Sequence, residues 1–417
     1  MRWLVVVCVC SLGTSEALAA EPWTWDECVR EVSRHNADLL AAQASVREAR
    51  AKYHGSYSRF LPQVSADAGV DRGTTTTHVG SSTLDENTIG LSVNETLFSG
   101  FRNEAQVGQQ RANLQAAEAS LAQVKAQVGF DLTSAIAQLL FAQEQTALAE
   151  AIATRRQENV RLVELRYQAG REHQGSYLRS RATFQQAVFD VEQAQRALQV
   201  AQQQLAKVMG RKDEAQLSVA GERRIAPMGE PPDFYALMLD SPTHRQAEAQ
   251  ARSAKAGVTI ARSGFFPTVS ATGSLSRRGT DWLPSDRRWL AGVMVSLPLL
   301  SGGQTFFDVR SAKAEHERSQ ASLESLDDQT VFALKQAFAA YQDAVGKVGV
   351  QEEFLHAAQV REEIARSQYT TGLLSFQDWD LIEDDLIANQ KAMLTSRRDA
   401  VIAEATWERT QGKSPLP

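Results

Sequence analysis

Acidic and aromatic side chains gather around a short turn in the second half of the chain, and these residues are the best suited to chemistry. The turn is a Tyr-x-x-Gly segment at 369–372, and Asp378 and Asp380 follow it. Copies of such carboxylates arranged around a pore would form an anionic ring, which is one way in which channels select cations. The acidic run 383–385 could also bind a cation, but a solvated helix face explains it more simply because no histidine accompanies it.

Motifs for enzyme chemistry are absent from the sequence. No Cys-x-x-Cys, Gly-x-Gly-x-x-Gly, Gly-x-Ser-x-Gly or His-Glu-x-x-His occurs in it. The seven histidines are scattered, and His173 either serves a pH or metal role or is an ordinary solvated turn residue. We therefore expect no enzyme, no cofactor and no metal site. The net charge of −6 gives no reason to expect a nucleic-acid partner, which would favour a basic surface.

The first 19 residues are expected to be a secretory signal peptide. A basic residue precedes the apolar run 3–10, and residues 17–19 read Ala-Leu-Ala, which is an A-x-A cleavage site. An apolar N-terminal anchor is the alternative. Cys8 and Cys10 would leave with this segment, and the valine before each of them does not favour lipidation. Only Cys28 would then remain, so no disulfide could form within the mature chain.

Long helical segments must position the Tyr-x-x-Gly turn. Residues 103–209 contain no proline, and apolar residues recur there at alternating steps of three and four, as at Leu114, Ala117, Leu121, Val124 and Val128. This spacing places the apolar residues on one face of a helix. A break near 167–170 divides the segment, so we predict long helices at about 103–168 and 175–209. The first would extend about 100 Å at 1.5 Å per residue.

Two strands are predicted before these helices. Apolar and polar residues alternate at about 62–71 and again at about 87–98, which is typical of a strand with one apolar face. The segment 71–87 between them is rich in Gly, Ser and Thr, and it predicts a polar loop.

The same order of elements occurs a second time. The turn at 167–170 returns 202 residues later at 369–372, and Ser99-Gly100 returns at the same offset as Ser301-Gly302. A constant offset indicates a duplication. We predict a first repeat at 20–210, a connector at 211–242 and a second repeat at 243–417. In the second repeat, the strands are expected at about 267–277 and 288–299, and the long helices at about 303–370 and 376–411.

The strands have the length of tilted membrane β-strands. Four of them cannot close a barrel, and an open sheet edge is not tolerated in lipid. Three copies would supply twelve strands, an even number within the range of outer-membrane barrels. A soluble sheet that caps a coiled-coil bundle is the alternative.

The order and duplication of these motifs resemble the TolC-type outer-membrane efflux proteins. The resemblance covers nearly all of the chain after the signal peptide. It is carried by Trp23-Thr-Trp-Asp-Glu27, Asn36-Ala-Asp-Leu39, Phe60-Leu-Pro62, Leu97-Phe-Ser-Gly100, Leu299-Leu-Ser-Gly302 and the two Tyr-x-x-Gly turns. It implies a mainly α fold with a membrane β-barrel. The protein would be a homotrimer whose twelve-stranded β-barrel continues into a periplasmic α-helical barrel.

The resemblance also implies a function and a location. The protein would lie in the lipid of the outer membrane with a large periplasmic portion. It would be the exit duct of a tripartite efflux or type I secretion system, and its helical tips would dock to an adaptor protein. Through the adaptor it would meet an inner-membrane pump of the RND or ABC type.

Particular tip residues take roles from the resemblance. Asp378 matches an acidic position at the periplasmic entrance, and Tyr369 matches a tyrosine that helps to hold the entrance shut. Asp380, displaced by one residue from any matched position, is the third expected entrance residue. Leu374 stands where the family carries an arginine, and Ser176 stands at the acidic position of the first tip. The adaptor is expected to dock at Tyr167, Gly170, Arg171, Ser176, Gly372, Leu373, Leu374 and Ser375.

Two other classes remain open on the sequence alone. A periplasmic adaptor, or membrane fusion protein, also uses a long helical hairpin, but it has one hairpin flanked by small β domains. Here the hairpin occurs twice, and a strand pair precedes each copy. A structural coiled coil of the envelope is the second alternative, and it would stay soluble on cell fractionation.

Overall fold

The computed structural model describes residues 22–78, 80–212, 217–220 and 229–416. The predicted signal peptide and part of the predicted connector lie outside these residues. The described part contains eight α-helices and four strands. The helices are α1 (Trp25–His35), α2 (Ala37–Ser56), α3 (Arg102–Gln168), α4 (Gln174–Val208), α5 (Phe234–Asp240), α6 (Pro242–Arg262), α7 (Gln304–Thr371) and α8 (Phe376–Thr410). The strands are β1 (Gln63–Thr77), β2 (Gly80–Phe98), β3 (Thr268–Gly279) and β4 (Asp286–Ser296).

The four long helices agree with the prediction to within one or two residues at each end. Helices α3 and α7 have 67 and 68 residues, and α4 and α8 have 35 each. Buried alanines recur every seven residues in α4, at Ala187, Ala194 and Ala201. A small residue at each heptad allows close approach of the neighbouring helix. Within the described residues, none of the helices is apolar over a stretch long enough to cross a membrane.

The four strands form one antiparallel sheet in the order β1-β2-β3-β4. The predicted polar loop at 71–87 is wrong, because β1 and β2 continue through most of it and pair from Asp71 with Glu86 to Thr77 with Gly80. Pairing satisfies the backbone groups of both segments, and threonine favours an extended backbone. Arg72 adds a cross-strand ion pair with Asp85, with nitrogen–oxygen distances of 2.6 and 2.7 Å.

The chain divides into two compact units that cut across the two repeats. The first unit takes its described residues from Met1–His35, Leu132–Arg224 and Val350–Arg398, and it contains both turns between long helices. The second unit takes them from Asn36–Asp131, Ile225–Gly349 and Asp399–Pro417, and it contains the sheet. Each unit therefore draws on both halves of the sequence.

Gly412, two residues after the end of α8, marks one place in the second unit where only glycine fits. Gly412 has a φ of 75°, and a Cβ atom there would lie 2.2 Å from Cδ of Pro242, the first residue of α6. An L-residue in this left-handed conformation costs about 1–2 kcal/mol before any steric overlap is counted.

We therefore expect Gly412→Ala to lower the free energy of unfolding by at least about 2 kcal/mol. Thermal unfolding followed by far-ultraviolet circular dichroism measures this change. Gly346→Ala is the matched control, because Gly346 lies within α7 with open space around it. Alanine there should stabilise the helix by about 0.5–1 kcal/mol. If both substitutions changed the free energy of unfolding in the same direction, Gly412 would not be a position that requires glycine.

Candidate functional site

Tyr369 lies at the centre of an aromatic cluster next to the second turn. Its fully buried ring stacks on that of Trp379, with centroids 4.4 Å apart and an interplanar angle of 15°. The guanidinium of Arg166 lies 4.5 Å from the same centroid and must take the opposite face, because Trp379 covers the first. Phe376 meets the ring at 6.3 Å. One tyrosine thus joins the end of α3, the end of α7 and the start of α8.

Polar contacts fix the same tyrosine at both ends. Its hydroxyl donates to Oε2 of Glu172, in the turn between α3 and α4, at 3.2 Å. Nη1 of Arg166 donates to the Tyr369 carbonyl oxygen. Burial, together with the nearby Glu172 carboxylate, raises the pKa of Tyr369 above its ordinary value. The hydroxyl therefore remains a hydrogen-bond donor throughout the physiological range of pH.

A network of ion pairs joins α3 to α8 in the same unit. Arg156 is only 5% exposed, and its Nη1 lies 3.1 Å from Oδ1 of Asp380 and 2.8 Å from Oε2 of Glu383. Its Nη2 donates to Asp384. From the neighbouring helix α4, Arg179 places its Nε 3.2 Å from Oδ2 of Asp380.

Glu383 is the most deeply buried carboxylate of this network, at 1% exposure. It accepts hydrogen bonds from Arg155 at 3.1 Å, from Arg156 at 2.8 Å and from Asn159 at 2.6 Å. Burial raises the pKa of Glu383, while the two guanidiniums and the Asn159 amide act in the opposite direction. Three donors around one carboxylate are the compensation that a buried charge requires.

The acidic run 383–385 is used in ion pairs within the chain. Glu383 and Asp384 belong to the network, and Asp385 lies 3.6 Å from Arg361 of α7. Three arginines (Arg155, Arg156, Arg179) face three carboxylates (Asp380, Glu383, Asp384), so the network carries no net charge. In the part of the chain that the structure describes, no group of three or more His, Cys, Asp or Glu side chains could hold a metal ion.

The structure separates the two aspartates that were expected at the entrance. Asp380 is 8% exposed and lies in the ion-pair network. Asp378 is exposed. Its backbone N–H donates to Oγ of Ser375 at 3.2 Å, and the Ser375 hydroxyl donates to Oδ2 of Asp378 at 2.7 Å. This reciprocal bonding begins α8 and leaves the Asp378 carboxylate at the surface.

The first turn exposes three of its four predicted docking residues, and only Ser176 is buried. Gly170 has a φ of 67°, and Arg171 after it is exposed. Ser176 is buried, and its N–H donates to Nδ1 of His173, which caps the start of α4. Tyr167 is partly exposed and stacks on Tyr177 with centroids 5.8 Å apart. His173 therefore has a structural role in beginning a helix.

The second turn exposes an apolar residue. Gly372 has a φ of 86°, which favours glycine, and Leu373 after it is 81% exposed. Leu374 is partly buried and packs against the cluster around Tyr369. Ser375 is exposed and begins α8 as described above.

The residues that sequence reasoning missed are Arg155, Arg156, Asn159 and Trp379. The duplication contained a signal for two of them. At the 202-residue offset, Arg155 and Arg156 correspond to Ala357 and Ala358. The first repeat thus has two adjacent arginines where the second repeat has two alanines, which indicates that only the first repeat carries charge at this position.

The sequence profile described as "Outer membrane efflux protein" matches residues 29–211 and 235–412. The matched stretches cover most of the chain, one in each half. The chain therefore belongs to the outer membrane efflux protein family.

Similar proteins span most of the chain. Outer membrane efflux protein BepC of Brucella suis biovar 1 (strain 1330) is 21% identical over 374 residues, which cover 89% of this chain and 81% of the relative. Cation efflux system protein CusC of Escherichia coli (strain K12) is 22% identical over 378 residues, with coverage of 88% and 81%.

Solved structures show the same fold. A crystal structure of CusC superposes with a TM-score of 0.85 at 20% identity, over 93% of this chain and 92% of that one. The open state of the MtrE outer membrane channel of Neisseria gonorrhoeae gives a TM-score of 0.81 at 19% identity, with coverage of 94% and 89%.

These likenesses confirm the predicted fold class, function and location. The chain is an outer-membrane efflux channel with a large periplasmic portion, and it is a transport conduit and not an enzyme. It works as a homotrimer with a periplasmic adaptor and an inner-membrane pump. Membership of this family excludes the two alternative classes for the chain, which were a periplasmic adaptor protein and a structural coiled coil of the envelope.

Removal of the Arg156 guanidinium should destabilise the network. Arg156→Ala leaves Asp380 and Glu383 buried without their shared partner, which typically costs about 3–5 kcal/mol. Native-state hydrogen exchange of the surrounding α3 and α8 amides measures the local opening free energy. Arg196→Ala is the control, because its pair with Glu192 is largely exposed at 3.6 Å and contributes about 0–1 kcal/mol. Equal effects of the two substitutions would show that the network does not stabilise this unit.

Proposed function

We propose that the aromatic cluster and the ion-pair network of the first unit form the closed periplasmic entrance of the efflux duct. The observation that carries this proposal is the burial of Tyr369 between Arg166 and Trp379. This stack joins three helix ends beside the turns. An entrance closed by helix ends opens only when such contacts separate.

The ion-pair network makes partial opening unfavourable. A carboxylate is stable when donors surround it in the protein or when water surrounds it, but it is unstable when it is buried and has lost one of its donors. A slight separation of α3 from α8 would leave Glu383 buried with a donor missing. The entrance should therefore have two states, closed with all pairs made and open with water around the charges.

The polar contact that would hold the entrance shut comes from α3 in this chain. Leu374 stands where the family carries an arginine, and here it packs against apolar neighbours. Arg166 contributes the guanidinium instead, stacked on the Tyr369 ring and bonded to its carbonyl oxygen. We propose that Arg166 takes over the task of the missing arginine.

Asp378 is our candidate for the selectivity ring, since its carboxylate is exposed and three copies would bring three of them to the entrance. Asp380 would join such a ring only after the network has opened, because Arg156 and Arg179 hold its carboxylate in the closed state.

The exposed turn residues are the candidates for adaptor docking. Arg171 and Leu373 extend into solvent beside the two turn glycines, and an exposed leucine at a helix turn suits an apolar contact with a partner. Ser176 is buried and Leu374 is partly buried against its own chain, so we propose that they mainly support the turns.

Selection of the exported material belongs to the pump in this proposal. Relatives of this chain are named for cation efflux, as CusC is, and for solvent efflux, as SrpC of Pseudomonas putida is. Cations and apolar solvents share no binding chemistry. Because relatives with different exported material share this family, the fold of the duct does not set the exported material, and we assign that selection to the pump.

Loss of the stack should open the entrance. Trp379→Ala removes a buried ring on which Tyr369 rests, and large-to-small changes of this kind cost about 3–5 kcal/mol. Even about 1.4 kcal/mol would raise the open fraction about tenfold. Conductance of purified trimers in planar bilayers measures the open fraction.

Tyr369→Phe is the matched control for this measurement. It keeps the ring between Arg166 and Trp379 and removes only the hydrogen bond to Glu172, so its effect should be much smaller. If Trp379→Ala leaves the conductance at the level of the unsubstituted channel, the cluster does not close the entrance.

Asp378→Asn tests the selectivity ring. Removal of three carboxylates, one for each copy, should abolish block of the channel by multivalent cations applied from the entrance side. Asp385→Asn changes the net charge equally, but it affects a residue paired with Arg361. Cation block that survives Asp378→Asn, or is lost equally with Asp385→Asn, would place the selective site elsewhere.

A further inference from the structure

One face of the sheet is apolar along most of its length, and we refer to it as the apolar face. Residues that are directly opposite on neighbouring strands share a face, and successive residues of one strand alternate between the two faces. The register therefore places most of the apolar residues of the four strands on the same face. They are Val64, Ala66, Ala68, Val70, Ile89, Leu91, Val93, Val269, Ala271, Leu275, Trp289, Ala291, Val293 and Val295.

The apolar face is the surface of the sheet that suits membrane lipid. Its large side chains are exposed in the single chain, with Trp289 at 77% and Val293 at 66%. The strands join the long helices at one end of the sheet, and the ends of β1 at Thr77 and of β3 at Gly279 lie at the other. Because the helices form the large periplasmic portion, this other end of the sheet points to the outer leaflet.

Two arginines end the apolar face on β3 and β4. Arg277 follows Leu275 on this face, and Arg287 precedes Trp289. The two arginines are directly opposite each other in the register. Residues at such positions have Cβ atoms about 4.5–5.5 Å apart, and like charges there destabilise the strand pair. The pair is therefore unfavourable without an anion close to both guanidiniums.

Other arginines at this end of the sheet have an acidic partner in the chain. Arg72 lies 2.6 Å from Asp85 across β1 and β2. Arg278 of β3, which is on the face opposite to the apolar face, lies 3.2 Å from Glu86 of β2. Each of these guanidiniums is thus neutralised by a neighbouring strand.

Arg277 and Arg287 differ from these arginines. Both are exposed, and neither makes an ion pair with any residue that the structure describes. No acid of β3 or β4 shares the apolar face with them, because Asp286 lies on the opposite face. Asp67 and Asp71 of β1, the other edge strand, also lie on the opposite face. The anion that this pair requires must therefore come from another molecule.

The length of the apolar face places the two arginines at the boundary of the hydrocarbon. Val295 and Arg287 are eight residues apart on β4. That separation is about 26 Å along the strand, and about 20 Å across the membrane for a strand tilted by about 40°. The apolar band of an outer-membrane protein is about 25 Å tall and is bordered by aromatic residues such as Trp289. Arg287 and Arg277 thus lie where the lipid headgroups begin.

We propose that Arg277 and Arg287 together bind a phosphate group in the headgroup of an outer-leaflet lipid. A guanidinium presents a planar fork of donors that matches phosphate, and two forks from opposite strands can hold one phosphate between them. Basic residues at the membrane surface attract anionic headgroups in the same way. Leu275 and Trp289, the next residues of the apolar face, would contact the acyl chains of the bound lipid.

Lipid binding by the purified trimer tests the proposal. The probe is lipid A, an acylated glucosamine disaccharide that carries two phosphates, and native mass spectrometry in mild detergent counts the molecules bound. The unsubstituted trimer should bind one molecule for each copy. Arg287→Gln should lower the affinity at least about tenfold, because the charge-assisted bonds to the phosphate are lost while the side chain stays polar.

Arg288→Gln is the matched control for Arg287→Gln. Arg288 is the next residue of the same strand, it is also exposed, and it lies on the face opposite to the apolar face. The substitution removes the same charge from the same end of the sheet, and the affinity should change by less than about twofold. Equal losses in the two variants would show only a general attraction between the protein and anions, and they would overturn the proposal.

Two further ligands separate the headgroup phosphate from other sources of binding. Lipid A without its phosphates should bind the unsubstituted trimer at least about tenfold more weakly, and inorganic phosphate at the concentration of the lipid should not displace lipid A. Undiminished binding of the dephosphorylated lipid would show that acyl chains alone are recognised. Displacement by inorganic phosphate would show a site for the free ion. Either result would overturn the proposal.

Thermal unfolding of the trimer separates a binding defect from a folding defect. Without lipid, Arg287→Gln should unfold at the same temperature as the unsubstituted trimer or at a higher one, because it removes one of two opposed like charges. Lipid A should raise the unfolding temperature of the unsubstituted trimer more than that of the variant, since a ligand stabilises the state that binds it. Earlier unfolding of the lipid-free variant, or an equal rise in both proteins, would contradict a phosphate site at these arginines.

Discussion

The contact between α3 and α8 in the first unit depends on the desolvation of one guanidinium. Arg156 is almost fully buried, so nearly all of the hydration that it loses must be replaced by the carboxylates of Asp380, Glu383 and Asp384. These carboxylates lie on one helix, and a shift of α8 by one turn along α3 would leave several of them buried and unpaired. The network therefore fixes the register between the two hairpins, and the stack around Tyr369 can form because that register is fixed.

Much of the fold was predictable because its signals are local. The spacing of apolar residues gave the long helices to within two residues, and the glycines with positive φ marked both turns. The first two strands were predicted too short, since polar composition suggested a loop where backbone pairing decides. The ion-pair network was not predictable in this way. Asp380 and Glu383 lie 224 and 227 residues from Arg156, and only the packing of distant helices brings them together.

The two aspartates that were expected at the entrance show how far a resemblance can assign residues. Asp378 and Asp380 are two residues apart, and on a helix with 3.6 residues per turn they point about 200° apart. They cannot both face the same space. The resemblance favoured Asp378 by position, and the structure leaves it exposed while Asp380 is buried. The sequence could not decide this, because Arg156 and Arg179, which pair with Asp380, lie more than 200 residues away along the chain.

The contacts between α3 and the second hairpin have a consequence for how the proposed entrance would move. Arg156 and Arg166 hold the second hairpin from the same helix, ten residues or about 15 Å apart. Rotation of that hairpin away from α3 must break both clusters together, because the hydrogen bonds and the stack are directional. Apolar contacts are not directional, so leucine and alanine side chains can slide past one another without leaving a polar group unpaired. The charged contacts within the chain, and not the apolar ones around them, would therefore decide when the second hairpin moves as one body.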